Sequence, residues 1–202
     1  MAEPAGKRLK SSLPLCRAHR SSGGSRARHN LQAAVEEALC GVSSLLWDGA
    51  YRLKALASVF ERDDVALPWV ASFFHQEALK QEEEAEAMMG YLAERGGNFC
   101  NKDIQKPGCE VVLAVLPALE LLMLQLKEEA DVLVALSQLA RHHGDPHTAS
   151  FVKSHFLSPR TDRLKLIGDL LTSARRLGCT NDQTAGGFGE YMLNELQDEL
   201  TR

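Results

Sequence analysis

The chain has 202 residues, of which 45% are hydrophobic and 25% charged, with a formal net charge of −4. These proportions belong to a folded globular domain and exclude a collagen-like, fibrous or wholly disordered chain. The longest uncharged apolar stretch, residues 111–119, is interrupted by Pro117. It is far shorter than the roughly 20 residues a spanning helix needs, so no membrane partner is expected.

The charge is unevenly spread. Residues 1–31 carry Lys7, Arg8, Lys10, Arg17, Arg20, Arg26 and Arg28 against the single acid Glu3, so the remainder is more acidic than the net value suggests. This segment reads as a basic, disordered tail, and residues 32–202 as the folded domain. It has no apolar h-region and does not read as a secretory signal. Its Arg- and Ser-rich composition fits a mitochondrial presequence, Lys7–Lys10 fits a nuclear signal, and a tail without an address fits equally well. No aromatic residue interleaves the basic ones, so nucleic acid is at most a weak, salt-dependent partner. The cysteines at 16, 40, 100, 109 and 179 show no zinc-like spacing. Their odd number predicts reduced thiols and an intracellular, cytoplasmic chain.

Four long helical patterns follow. From about 32 to 60, Val35, Leu39, Val42, Leu46, Leu53, Leu56 and Phe60 recur at alternating steps of three and four, with Gly49 in the one gap. That is a bundle seam. Pro68 starts a second helix that runs to about 95. Its seam, Val70, Phe74, Glu77, Gln81, Glu84, Met88 and Tyr91, is polar in the middle, and Gly96-Gly97 stops it. Residues 98–111 lack a period and predict a long crossover loop. A third helix spans about 112–141, with Leu116, Leu119, Met123, Leu126, Ala130, Leu133, Ser137 and Ala140 as its seam, and Gly144 breaks it. Asp145-Pro146 then reads as N-cap and N1 of a fourth helix reaching Leu177, kinked at Pro159, with Gly178 at its end. After a loop at 179–187, a short helix from Phe188 to about Leu200 closes the chain. Its apolar stripe of Phe188, Met192 and Leu196 is expected to pack on other subunits.

The fold class is therefore all-α, and specific segments carry a resemblance. Phe60 to Leu67, Arg95-Gly96-Gly97, Asp103 to Pro107, Gly144 to His147, Leu177-Gly178 and Glu190-Tyr191 resemble the ferritin family in order and spacing. The resemblance implies a ferritin-like four-helix bundle with one long crossover and a short fifth helix. It implies a 24-subunit shell, homomeric or shared with other ferritin subunits, that stores iron as ferric mineral. It also places the family's iron-oxidising positions. Those of the first helix fall on Leu46 and Leu53, those of the second on Lys80, Gln81 and Glu84, that of the third on Leu126 and that of the fourth on Arg160. Glu84 is the one metal-binding type among them, so no ferroxidase activity is expected.

Two burdens follow for Glu84 and Arg160. A buried carboxylate and a buried guanidinium are each costly alone, so the two are expected to pair, with Gln81 and Glu77 nearby. The alternative is an Arg160 that reaches outward and a Glu84 in water.

The family's mineral-nucleating acidic positions carry Gln76, Leu79 and Lys80, which leaves Glu83 and Glu86 as weak nucleation candidates, with Glu82 read as solvated. At the threefold pore through which iron enters, the resemblance places Ser150 and Lys153, with Ser137 and Ala149 nearby, so cations are repelled. At the fourfold axis it places an apolar plug of Met192 and Leu196. The reading is a subunit of an intracellular iron-storage shell without its own ferroxidase centre. The alternative is a repurposed ferritin fold acting as an interaction or nuclear protein.

Overall fold

The computed structural model describes residues 24–100, 112–179 and 187–201, with side chains of the last helix described through Glu195. α1 spans Ala33–Phe60, α2 Pro68–Glu94 and α3 Val115–His142. The fourth rod of the bundle is made of α4 (Pro146–Val152), a π-helical turn (Lys153–Leu157) and α5 (Ser158–Arg176). α6, Phe188–Thr201, follows. The all-α bundle with a fifth helix matches the expectation, and no described helix is long and apolar enough to cross a membrane.

The α1 seam is buried along its full length, Gly49 included. Gly96, Gly144 and Gly178 follow α2, α3 and α5 with φ near +70° to +79°, where a Cβ would be strained. Beyond each, an N–H reaches back five residues, as Gly97 does to Leu92 O (2.9 Å) and Asp145 to Ala140 O (2.9 Å). Asp145 caps α4 by accepting from Thr148 N, with Pro146 at the first position.

Three expectations need correction. The α3 seam runs through Leu122 and Glu129, both buried, while Met123 and Ala130 are only half-buried. The kink expected at Pro159 takes the form of a widened turn, in which the Ser158 N–H bonds to Lys153 O, five residues back. Proline has no N–H and its ring crowds the carbonyl four residues before it; a π turn relieves both. Finally, Cys100 is disulfide-bonded, whereas Cys40 and Cys179 are free and buried. Sequence spacing carries no information about cysteines that tertiary structure brings together.

α6 is tied to its own chain. α2 and α3 lack side-chain caps from their own N-cap residues. Asn194 Oδ1 accepts from Trp69 N at 2.9 Å, and Glu190 Oε1 accepts from Val115 N at 2.7 Å. α6 thus caps the first turns of two bundle helices, and Leu193 enters the core. The N-termini of α2 and α3 therefore lie at one end of the bundle. Their C-termini lie at the other, where Arg95 meets Asp145 at 3.1 Å. α2 and α3 therefore run parallel; residues 101–111, where most of the expected crossover falls, lie outside the described residues.

The core has two apolar halves. One gathers Leu53, Phe60, Phe74, Leu122, Leu126 and Ile167; the other gathers Leu39, Leu46, Met88, Leu133 and Phe156. Between them lies a polar layer.

Candidate functional site: a buried ionic layer

The layer is built from the middle of every bundle rod. α2 contributes Glu77, Lys80, Gln81 and Glu84; α3 contributes Gln125 and Glu129; α5 contributes Arg160 and Arg163. Arg160 is only 1% exposed and is the largest fully buried side chain described. Its two terminal nitrogens donate to different helices, Nη1 to Glu129 Oε2 and Nη2 to Glu84 Oε2. Gln81 Nε2 donates to the other oxygen of Glu129. Gln125 Nε2 reaches Gln81 Oε1 at 3.4 Å.

A second guanidinium completes the layer. Arg163 Nη1 bonds Glu84 Oε1 at 2.9 Å, and its Nε and Nη2 bond Glu77 Oε2 at 3.1 and 2.9 Å. Lys80 Nζ, half in solvent, meets Glu77 Oε1 at 2.6 Å. The carboxylates of Glu77, Glu84 and Glu129 are matched one for one by Arg160, Arg163 and Lys80, and Arg52 Nη1 of α1 reaches Gln125 Oε1 at 3.4 Å from the side. That balance is what makes its burial affordable, since a lone buried ion costs several kcal/mol. Within the layer, Arg160 Nε is buried without a hydrogen-bond partner among the described residues.

α1 contributes room. A Cβ on Gly49 would stand 2.4 Å from Gln81 Nε2, 2.5 Å from Gln125 Nε2 and 2.7 Å from Glu129 Oε1. The glycine therefore fills its seam position with the amide and carboxylate ends of α2 and α3. Above and below it, Leu46 and Leu53 are fully buried, as is Leu126 on α3.

The electrostatics follow from two carboxylates sharing one guanidinium. Burial pushes the Glu84 carboxyl up; Arg160 and Arg163 pull it down, and Glu129 pushes it up again, with a net upward direction. For Arg160, burial opposes the charge, but Glu129 and Glu84 outweigh it and hold the guanidinium above its ordinary value.

The expected Glu84–Arg160 pair is thus present, with Gln81 and Glu77 in the same layer, and the outward-reaching alternative for Arg160 does not hold. Sequence reading missed Glu129, Arg163 and Gln125. Glu129 stands three residues after Leu126 and four before Leu133, which is a seam step, but the apolar Ala130 beside it drew the reading away. Arg163 lies three residues after Arg160 on the same helical face, a usable signal.

The remaining sites lie apart from this layer. Glu83 and Glu86 are exposed, while Glu82 is paired with Lys54 Nζ at 2.6 Å instead of being merely solvated. Ser150 and Lys153 are exposed on α4 and the π turn, and Ser137 and Ala149 are buried. Phe188 is 78% exposed, Met192 is half-buried, and the Leu196 side chain lies outside the described residues. The contacts of α6 with its own chain are made by Leu193, Glu190 and Asn194. These sit on another side of the helix and dock it. Among the described residues no group of three or more His, Cys, Asp or Glu is arranged to hold a metal ion.

At the other end of the bundle a second polar cluster joins four segments. Arg95 donates to Asp145 (3.2 and 3.1 Å), Thr148 Oγ1 (2.9 Å) and Tyr91 Oη (2.6 Å), and reaches the carbonyls of His29 and Asn30. Burial pushes Asp145 up, but its bonds from Thr148 and Arg95 prevail and hold its carboxyl below the usual carboxylate range. Arg28 pairs with the fully buried Glu36 at 2.5 Å, and Glu36 also accepts from Asn98 N at 2.7 Å. Residues 24–31 are held against the bundle by these bonds.

Comparison with known proteins agrees with this architecture. The family model described as ferritin-like domain matches residues 36–177. The chain is 34% identical to the ferritin light chain of Bos taurus over 172 residues, covering 85% of this chain and 96% of that one. It is likewise 34% identical to the ferritin light chain of Oryctolagus cuniculus, with the same coverage. It is 32% identical to the ferritin middle subunit of Aquarana catesbeiana, covering 85% and 95%. With its bundle, its fifth helix and these similarities, the chain belongs to the ferritin family.

Proposed function

We propose that this chain is a subunit of an iron-storage shell that has no iron-oxidising centre of its own. One observation carries the reading. The Arg160 guanidinium bonds both Glu84 and Glu129 in the middle of the bundle, at the level where the family resemblance implies a pair of irons. Such a pair calls for several free carboxylates and an imidazole nitrogen. The donor set here does not fit it. Glu77, Glu84 and Glu129 are each bonded to cationic side chains, and Leu46, Leu53 and Leu126 are apolar. The layer is a stabilising replacement for a metal centre. Iron reaches the shell as cargo oxidised elsewhere, by partner ferritin subunits in a mixed 24-subunit assembly.

The other site assignments belong to the same proposal. Glu83 and Glu86 are exposed and offer a thin nucleating surface, and Lys153 with Ser150 disfavours cation passage at the threefold axis. Met192 and Leu196 form an apolar plug at the fourfold axis. The shell is cytoplasmic, with the basic tail deciding any nuclear or mitochondrial address.

Size-exclusion chromatography with light scattering and an iron assay on the same peak tests assembly. Aerobic oxidation of added ferrous iron, followed by absorbance, tests chemistry. A shell-sized particle without a saturable oxidation burst is expected. A stoichiometric burst overturns the absence of a centre. A monomer or dimer without iron overturns storage and leaves the interaction or nuclear reading.

A further inference from the structure

We propose that the cleft between α3 and the π turn binds a phosphate group. The cavity measures about 360 Å³. Its polar wall is Ser137, Gln138 and Arg141 from α3, Lys153 from the π turn, and Ser158 and Thr161 from α5. Among the described residues no carboxylate lines it. Arg141 and Lys153 make no ion pair among the described residues, whereas Lys54, Lys80, Arg95, Arg160 and Arg163 each hold an acid. In a chain of net charge −4, two unpaired cations facing one cleft form a local anion-attracting field.

The π turn makes this arrangement. In a regular α-helix, residues five apart point about 140° away from each other. Here the Ser158 N–H bonds Lys153 O, so the widened turn brings Lys153 and Ser158 to the same side, toward α3. Ser137, Gln138 and Arg141 lie within one turn of α3 and face them. π turns inside helices are frequent at functional positions, and this one leaves Lys153 lining the same cleft as Arg141.

The donors suit a tetrahedral oxyanion. A guanidinium offers two parallel N–H groups and an ammonium a point charge. The Gln138 amide and the Ser137 hydroxyl add neutral donors. Ser158 and Thr161 keep their hydroxyl protons on the carbonyls of Lys153 (3.1 Å) and Leu157 (3.2 Å), so they shape the wall. A ferrous ion has no carboxylate here and meets two positive charges. All of these donors come from one chain, and in the proposed shell Lys153 and Ser137 would stand beside the threefold axis, so the titration reads the cleft whichever assembly state the protein has.

The phosphate has two sources, free inorganic phosphate or the phosphomonoester of a nucleotide. The test is isothermal titration of the full-length protein, at low ionic strength, with inorganic phosphate and in parallel with AMP. Saturable phosphate binding is expected, weakened about tenfold or more by Arg141→Gln or Lys153→Gln. Thermal melts of both variants should be unchanged, because both side chains are exposed; Lys153→Gln alone decides if Arg141→Gln unfolds. Tighter binding of AMP with the same sensitivity to the variants supports the proposal and identifies the phosphomonoester as the source. Absence of saturable binding below about 10 mM overturns it. So does binding that survives both variants and disappears on removal of residues 1–23, which would place the anion on the basic tail.

Discussion

At the residue scale, single charges in this molecule are held by several partners, which sets the cost of removing one. Glu84 accepts from Arg160 and Arg163. Glu84→Ala leaves Arg163 with Glu77 and Arg160 with Glu129, and unbalances the layer by one charge. A loss of about 3 kcal/mol is expected from chemical denaturation, the scale of a broken buried pair. A loss below about 1 kcal/mol would show that the layer is wet and weakly coupled. Gly49→Ala acts on the same layer from α1. Its Cβ displaces the Gln81 and Gln125 amides, so about 1–2 kcal/mol should be lost, the net value of the hydrogen bonds disturbed.

Asp145 gives a pH signature. Its folded carboxyl lies below the ordinary value of about 3.9, so its stabilising effect is present above that value. The effect is lost as the pH falls through the lowered folded pKa. Asp145→Asn keeps a capping oxygen but loses the charge facing Arg95. The variant should be about 2 kcal/mol less stable at pH 6, and the gap should close in acid melts below about pH 4. A gap independent of pH would show that the charge contributes nothing.

At the element scale, the last helix is part of the bundle's construction. Glu190 and Asn194 satisfy N–H groups at the starts of α3 and α2, which their own preceding residues, Ala114 and Leu67, cannot cap. α6 also approaches the turn after α5 closely. A Cβ on Gly189 would lie 2.2 Å from Leu177 O, a backbone atom that cannot swing aside. Gly189→Ala should therefore lift the first turn of α6. A cost of about 1–3 kcal/mol is expected, with faster proteolysis of the C-terminal segment than of the bundle. Equal protease resistance of segment and bundle would mean that α6 stays docked and that the approach to Leu177 O relaxes around the added methyl group. The exposed side of the same helix presents Phe188 and Tyr191, 78% and 56% exposed. One helix thus carries capping groups on one side and unpartnered rings on the other.

At the scale of the whole molecule, the fold divides into two apolar halves around a buried ionic layer, and the halves were legible in advance. Regular steps of three and four gave α1 and α2 with ends close to those observed. Glycine stops and the Asp145-Pro146 start marked the ends of α2, α3 and the fourth rod. The polar middle of the α2 seam announced that something charged lies inside. The partners of that charge were less legible. Seam reading favours apolar residues, so Ala130 was preferred to Glu129, and an acid that earns its burial from an arginine on another helix has no local mark. Residues 24–31 illustrate the same limit. Their composition reads as a solvated tail, yet Arg28 is held by the buried Glu36 and Arg95 holds the carbonyls of His29 and Asn30.

What this sequence determined by itself is the periodic part of the molecule: four bundle helices, a fifth short one, their punctuation, and the family. Those features depend on residues within a turn or two of one another, where propensity, capping and hydrophobic spacing act. The tertiary structure alone decided that Glu129 and Arg163 join the expected Glu84–Arg160 pair, and which helix ends α6 caps. It also decided that Lys153 and Arg141 line one cleft. Each of these joins side chains dozens of residues apart, and their free energy comes from desolvation and charge balance that exist only once the helices have packed.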